Sequence, residues 1–159
     1  MIKITDKLMN TLSSKAKTSV RKRCNYNFHN SNSDCIQRFL NVAEPDTYVR
    51  SHKHENPDKI EIFLILKGRV LVIEFDDDGK ITDHIILDSE KGNNGVEISP
   101  KTWHSFIVLK EGSVLYEIKE GPYIMETDKI FAEWAPEEGT KEAQKFNEKI
   151  LSNLKIHLS

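Results

Sequence analysis

His52 and His54 are separated by a single residue, in a segment whose composition reads as extended chain. Side chains two apart in a strand point to the same face, so the two imidazoles aim into one space with their bases about 6–7 Å apart. Glu61 follows, and His104 comes much later. Three imidazoles and one carboxylate form a donor set for one borderline divalent ion, such as zinc, iron, nickel or manganese. A lone histidine pair is a common surface feature, so the weight falls on Glu61 and His104. Glu61 opens an apolar run, 61–66, and a carboxylate in that position needs a partner if it points inward. His104 follows Trp103 and opens a second apolar run, 105–109.

These residues have to be positioned by strands. Period-two or continuously apolar stretches predict strands at 36–42, 47–54, 61–66, 69–75, 81–87, 95–98, 105–109 and 113–119. Breaks with turn chemistry separate them, among them Lys67-Gly68, Asp78-Gly79 and Glu111-Gly112. Many short strands at this spacing predict a mainly β fold, an antiparallel sandwich or small barrel. The run from Glu61 turns at Lys67-Gly68, and a hairpin-like return would bring Glu61 beside the histidine strand. Ahead of these strands, a helix is expected over 5–17, with Leu8, Met9 and Leu12 as its stripe and Thr5 or Asp6 as its cap. Residues 21–29 alternate as a strand with one strongly polar face. Beyond Pro136 and Gly139, the spacing of Phe146, Ile150, Leu151 and Leu154 predicts an amphipathic helix over 140–158. The chain therefore divides into a β domain with its N-terminal helix, 1–139, and a helical extension, 140–159, packed on the barrel or on a partner subunit.

The bulk composition narrows the function classes. The 159 residues carry a net charge of −2 with 30% charged and 38% hydrophobic residues. That balance supplies a core and gives no electrostatic case for nucleic acid or an anionic membrane. There is no secretory leader pattern and no apolar run long enough to span a bilayer. Cys24 and Cys35 form no C-x-x-C pair, so a reduced cytoplasm is expected.

On these residues the chain resembles the cupin superfamily. The first cupin motif combines a histidine pair, a glutamate and a glycine. Here it runs His52-Lys53-His54, Glu61 and, after six intervening residues, Gly68. The gap 55–60 is longer than is usual in the superfamily. The second motif is degraded: Pro100 is shifted, the glycine is absent, and Val108 stands where asparagine is usual. His104 matches its histidine. More narrowly, residues 8–139 resemble the WbuC family of cupin-fold metalloproteins, associated with surface-polysaccharide gene clusters. The resemblance rests on Arg21 and Arg23 with Asn25-Tyr26-Asn27-Phe28-His29, on Gln37-Arg38-Phe39-Leu40-Asn41, and on Thr47 through His54. It continues in Thr102-Trp103-His104, Glu117 through Tyr123, and Trp134-Ala135-Pro136. It implies a double-stranded β-helix (jelly-roll) barrel with one divalent ion held by His52, His54, Glu61 and His104.

Further residues are candidates for the cavity. Tyr48 and Arg50 share a face with the histidines if 47–54 is one strand. An inward arginine is costly unless it is paired, so Arg50 either binds an anionic ligand or pairs internally with an acid such as Glu117. Glu117 is the candidate general base. Lys119 and Tyr123 are candidates for the wall and mouth, Asn27 and His29 for the polar first strand, and Trp103 for stacking on a sugar ring. Three functions compete. One is a mononuclear-metal cupin acting on a sugar or nucleotide-sugar, the second a non-catalytic metal-dependent binding module, and the third a metal-free sugar-nucleotide isomerase or epimerase. A homodimer is expected from the polar first strand and the terminal helix.

Overall fold

The computed structural model describes residues 1–158. Its ten strands make two five-stranded sheets, flanked by a helix near each end of the chain. Helix α1 (Asp6–Thr18) starts at Thr5, whose side chain accepts from the Leu8 N–H. The first sheet runs in the order β1 (Arg23–Asn27), β2 (Ile36–Ala43), β9 (Ser113–Glu120), β4 (Glu61–Lys67) and β7 (Gly95–Ile98). The second runs β10 (Ile130–Phe131), β3 (His52–Lys53), β8 (Trp103–Val108), β5 (Arg69–Phe75) and β6 (Ile81–Asp88). All pairings are antiparallel. Helix α2 (Lys141–Leu154) is capped by Thr140 and ends where Lys155 turns left-handed.

Three apolar clusters hold these layers together. Between the sheets lie Phe63, Ile65, Val70, Val72, Phe106, Val108 and Leu115. On the outer face of the first sheet, α1 sets Met9, Leu12 and Ala16 against Leu40, Val42 and Val114. On the outer face of the second sheet, α2 brings Ile150, Phe146 and Leu151 against Leu71, Ile73 and Ile107. The helical stripes are thus consumed by the chain's own sheets. Strand alternation sorts the side chains. On β2 and β9 the outward Leu40, Val42 and Val114 meet α1, while Gln37, Asn41, Glu117 and Lys119 belong to the alternate set facing inward.

The structure departs from the sequence expectation in three places. Residues 47–51 are not laddered, and only His52–Lys53 pairs as a strand. Side chains occupy their backbone groups instead: the Arg23 guanidinium donates to the Tyr48 carbonyl at 2.8 Å and the Ser105 hydroxyl to the Val49 carbonyl at 2.6 Å. Glu61 does not return beside the histidines. It lies on the opposite sheet, between Lys119 and Ile98, and faces them across the barrel. A short strand, β10, forms at Ile130–Phe131 against β3, where no period-two pattern announces it. Among the described residues no helix is long and apolar enough to cross a membrane.

Candidate functional site

The polar end of the barrel interior gathers His52, His54, Glu61 and His104, all buried. One ligand atom from each lies within 4.8 Å of every other, the span of a single ion's coordination shell. Both sheets converge here: His52 and His104 are register partners across β3 and β8, His54 follows β3, and Glu61 opens β4 of the other sheet.

The hydrogen bonds decide how the imidazoles are presented. His52 Nδ1 lies 2.9 Å from the Arg50 carbonyl, His104 Nδ1 2.9 Å from the Thr102 carbonyl, and His54 Nδ1 contacts the Asp128 carbonyl. A carbonyl oxygen only accepts, so each neutral ring carries its proton on Nδ1 and a bare lone pair on Nε2. The three Nε2 atoms turn toward Glu61. Its Oε2 lies 2.9 Å from His104 Nε2 and 3.4 Å from His54 Nε2, while His52 Nε2 is buried without a hydrogen-bond partner. Lone pairs facing a carboxylate in a dry interior repel unless a cation lies among them. This donor set, with each ring oriented by a backbone carbonyl, fits a divalent ion.

The electrostatics follow from burial and neighbours. Burial pushes His52 well below the ordinary imidazole range, and the charge of Lys129 adds to it. Burial works to raise Glu61, but its contacts with the His104 and His54 rings and the charge of Lys119 outweigh it and hold the carboxyl well below its ordinary range. Glu117 goes the other way. Burial, then the charge of Glu61 and a hydrogen bond with it, raise Glu117 well above the ordinary carboxylate range. Of the two neighbouring acids, Glu117 therefore keeps its proton longer.

A cavity of about 590 Å³ opens beside the cluster. Of the candidates read from the sequence, Arg50, Glu117, Lys119, Tyr123, Asn27 and His29 line it together with His52, Glu61 and His104. Glu117 Oε2 accepts from Asn41 Nδ2 at 3.0 Å. Arg50 does not pair with Glu117: its guanidinium donates to the carbonyls of Ala135 and Ala132 at 3.1 and 3.0 Å and lies 5.4 Å from the Phe131 ring centroid. Lys119 donates to Asp128 Oδ2 at 2.6 Å. His29 is tied to the Arg38 backbone, and Asn27 is exposed at the rim. Tyr48 and Trp103 lie elsewhere. The Tyr48 hydroxyl donates to the Pro136 carbonyl with its ring edge-on to Phe146, and the Trp103 indole N–H donates to Asp77.

Sequence reasoning missed Lys59, Asp128, Lys129 and Asn41. The Asp128 carboxylate accepts from both Lys59, at 2.9 Å, and Lys119, and all three side chains are buried. Asn41 had a readable signal, as a polar residue two strand steps from Gln37 in an otherwise apolar run. For Lys59, Asp128 and Lys129 there was none, because a charge facing a cavity or a core and a solvated one look alike in composition.

The sequence matches the domain of unknown function DUF6016 over residues 4–87, more than half of its length. The chain belongs to the DUF6016 family. A comparison of this DUF6016 sequence with curated proteins returned no match. Among solved structures, it is similar to the capsular polysaccharide assembling protein CapF from Staphylococcus aureus, with a TM-score of 0.55 and 16% identity over 70% of this chain and 32% of CapF. L-ribose isomerase from Cellulomonas parahominis, solved with L-psicose, gives 0.54 and 12% over 71% of this chain and 70% of that one. Oxalate decarboxylase from Bacillus subtilis gives 0.51 and 16% over 78% and 29%. The chain thus spans about a third of the length of CapF. At these identities the likeness is one of fold, and the fold is the cupin barrel.

Proposed function

We propose that this DUF6016 protein is a metal-binding cupin that holds one divalent ion through His52, His54, Glu61 and His104. In this reading it acts on or binds a small polar metabolite, a sugar or nucleotide-sugar, in surface-polysaccharide metabolism. The observation that carries the reading is the presentation of the donors. Three backbone carbonyls set the imidazoles so that three Nε2 lone pairs and one carboxylate converge, with His52 Nε2 left without a partner. When bound there, a divalent ion supplies a Lewis acid beside the cavity. The chain's own residues do the rest. Glu117, on the cavity wall with its Oε2 fixed by Asn41, is the group we assign to proton transfer. Lys119, Tyr123, Asn27 and His29 shape the space around a ligand.

The sugar reading is supported by the nature of CapF and of the isomerase, and by the resemblance to the WbuC family, to which we also assign the chain. We place it in the cytoplasm as a homodimer. The dimer is supported by Tyr26, Leu64 and Leu66, which are exposed on the first sheet.

Metal analysis by plasma mass spectrometry tests the core of this. Protein purified without chelator should carry about one divalent ion per chain, and His52→Ala and His104→Ala less than about a tenth of that. Wild-type protein that neither retains nor takes up an ion would refute the reading. Glu117→Gln should keep its ion; in the catalytic case it loses turnover on the sugar substrate, whereas a pure binding module keeps its ligand affinity.

A further inference from the structure

The cavity's cations are unequally satisfied. Arg21 and Arg23 share Glu138, with the closest contacts at 2.8 and 2.9 Å. Arg50 is spent on two backbone carbonyls. Lys59 and Lys119 divide the single carboxylate of Asp128 between them. Lys129 also lines the cavity, and among the described residues its ammonium makes no hydrogen bond or ion pair. Three acids lie around it and are already engaged: Asp128 with the two lysines, Glu61 with the histidine cluster, and Glu117, whose proton is held by burial, with the Asn41 amide. Burial, and then the charge of Lys119, push Lys129 below the ordinary lysine range, as expected of an ammonium short of counter-charge. On the opposite wall Asn41 Oδ1 is buried without a donor, while its Nδ2 is fixed on Glu117. A ligand hydroxyl can donate to it.

We infer that the cavity is a site for an anionic, polyhydroxylated small molecule, whose anionic group docks on Lys129 and one of whose hydroxyls donates to Asn41 Oδ1. The inference rests on the metal reading above in one respect, that an ion at the histidine cluster claims Glu61 and leaves Lys129 without a carboxylate. A cavity of about 590 Å³ has room for a sugar acid or sugar phosphate. Both present the same chemistry to an ammonium, a localised anion that accepts charge-assisted hydrogen bonds. Lys129 is then a specificity-determining residue that selects acidic sugars over neutral ones.

The test is calorimetric titration of the metal-loaded full chain with D-glucuronate, D-glucose 6-phosphate and D-glucose. At least one of the two anions should bind about ten- to hundredfold more tightly than glucose, and which one it is separates carboxylate from phosphate. Lys129→Met should erase that preference with its metal content unchanged, and Lys129→Arg should keep most of it. Equal binding of all three probes, binding of none, or an unchanged preference in Lys129→Met would overturn the inference. The wild-type selectivity is a readout even if the methionine variant fails to fold. A chain that lacks metal yet still prefers an anion would refute the metal centre and support the Lys129 site.

Discussion

Replacing Asp128 by Asn removes the one carboxylate that two buried ammonium groups share. The Asp128 side chain is 2% exposed, and those of Lys59 and Lys119 are 2% and 4% exposed. Asparagine keeps the shape and removes the charge, leaving two cations in a dry wall. Breaking a buried pair from one side costs about 3–5 kcal/mol, because the orphaned charge stays desolvated. Glu61 and Glu117 also lie around Lys119 and offset part of its loss, so the lower half of that range is expected. For a chain of this size each kcal/mol lowers Tm by about 2–4 °C, so D128N should melt roughly 6–16 °C below wild type. Urea unfolding followed by circular dichroism measures the same change as a shift in midpoint. Glu111→Ala is the matched control. It breaks a pair with Lys17 whose side chains are 52% and 72% exposed, and it should leave the urea midpoint close to that of wild type. Adding Lys59→Met to D128N should recover stability by removing one stranded cation. A D128N protein as stable as the Glu111→Ala control, or a double variant less stable than D128N alone, would show that this wall is hydrated and the reasoning wrong.

Three further outcomes follow from particular contacts. Gly68 holds φ at +82°, and a Cβ there would meet Ser113 Oγ at 2.3 Å and Ser113 Cα at 2.9 Å, so Gly68→Ala should lower stability in urea unfolding by about 2 kcal/mol or more. Ile150→Ala removes the buried anchor of α2 and should cost about 2–4 kcal/mol, with faster hydrogen exchange over Lys141–Leu154. Burial opposes ionisation of Glu138, but hydrogen bonds from Arg21 and Arg23 prevail and depress its pKa. The stability it contributes is therefore full above the unfolded carboxyl pKa and is lost as pH falls through the lower folded one. Urea midpoints between pH 7 and about pH 3 should show a shallower acid loss for Glu138→Gln than for wild type.

What could be read from the chain in advance follows the reach of each signal. The helices were legible because caps and stripes are local: Thr5, Met9 and Leu12 say the same thing in sequence and in structure. Most strands were legible through alternation, which predicts an antiparallel sandwich or small barrel; the cupin form was legible only through the resemblance carried by His52, His54, Glu61, Gly68 and His104. The convergence of His52, His54, Glu61 and His104 was visible as a pattern of types, but the wrong route was assigned to Glu61. Sequence proximity suggested a neighbouring strand, whereas β4 pairs with β7 and β9 and meets the histidines across the interior. The stretch 47–54 reads in sequence as one strand, but side-chain donors such as Arg23 and Ser105 take the place of a ladder there. The segment carrying Asp128 and Lys129 was silent. It has only a two-residue strand, and the buried charge of Asp128 is made tolerable by partners 9 and 69 residues away, which no local window contains.

Because α1 and α2 each clasp one sheet from outside, anchoring and chemistry occupy alternate positions of the same strands. On β2 and β9, Leu40, Val42 and Val114 are fixed by contact with α1, and Phe39, Asn41, Glu117 and Lys119, which alternate with them, face the cavity. The inward set can be exchanged, an acid for an amide or a lysine for an aromatic, while the helix contacts that fasten the strand stay untouched. A barrel built in this way can keep its frame through repeated changes of ligand, which gives a physical route by which one architecture comes to host unrelated reactions.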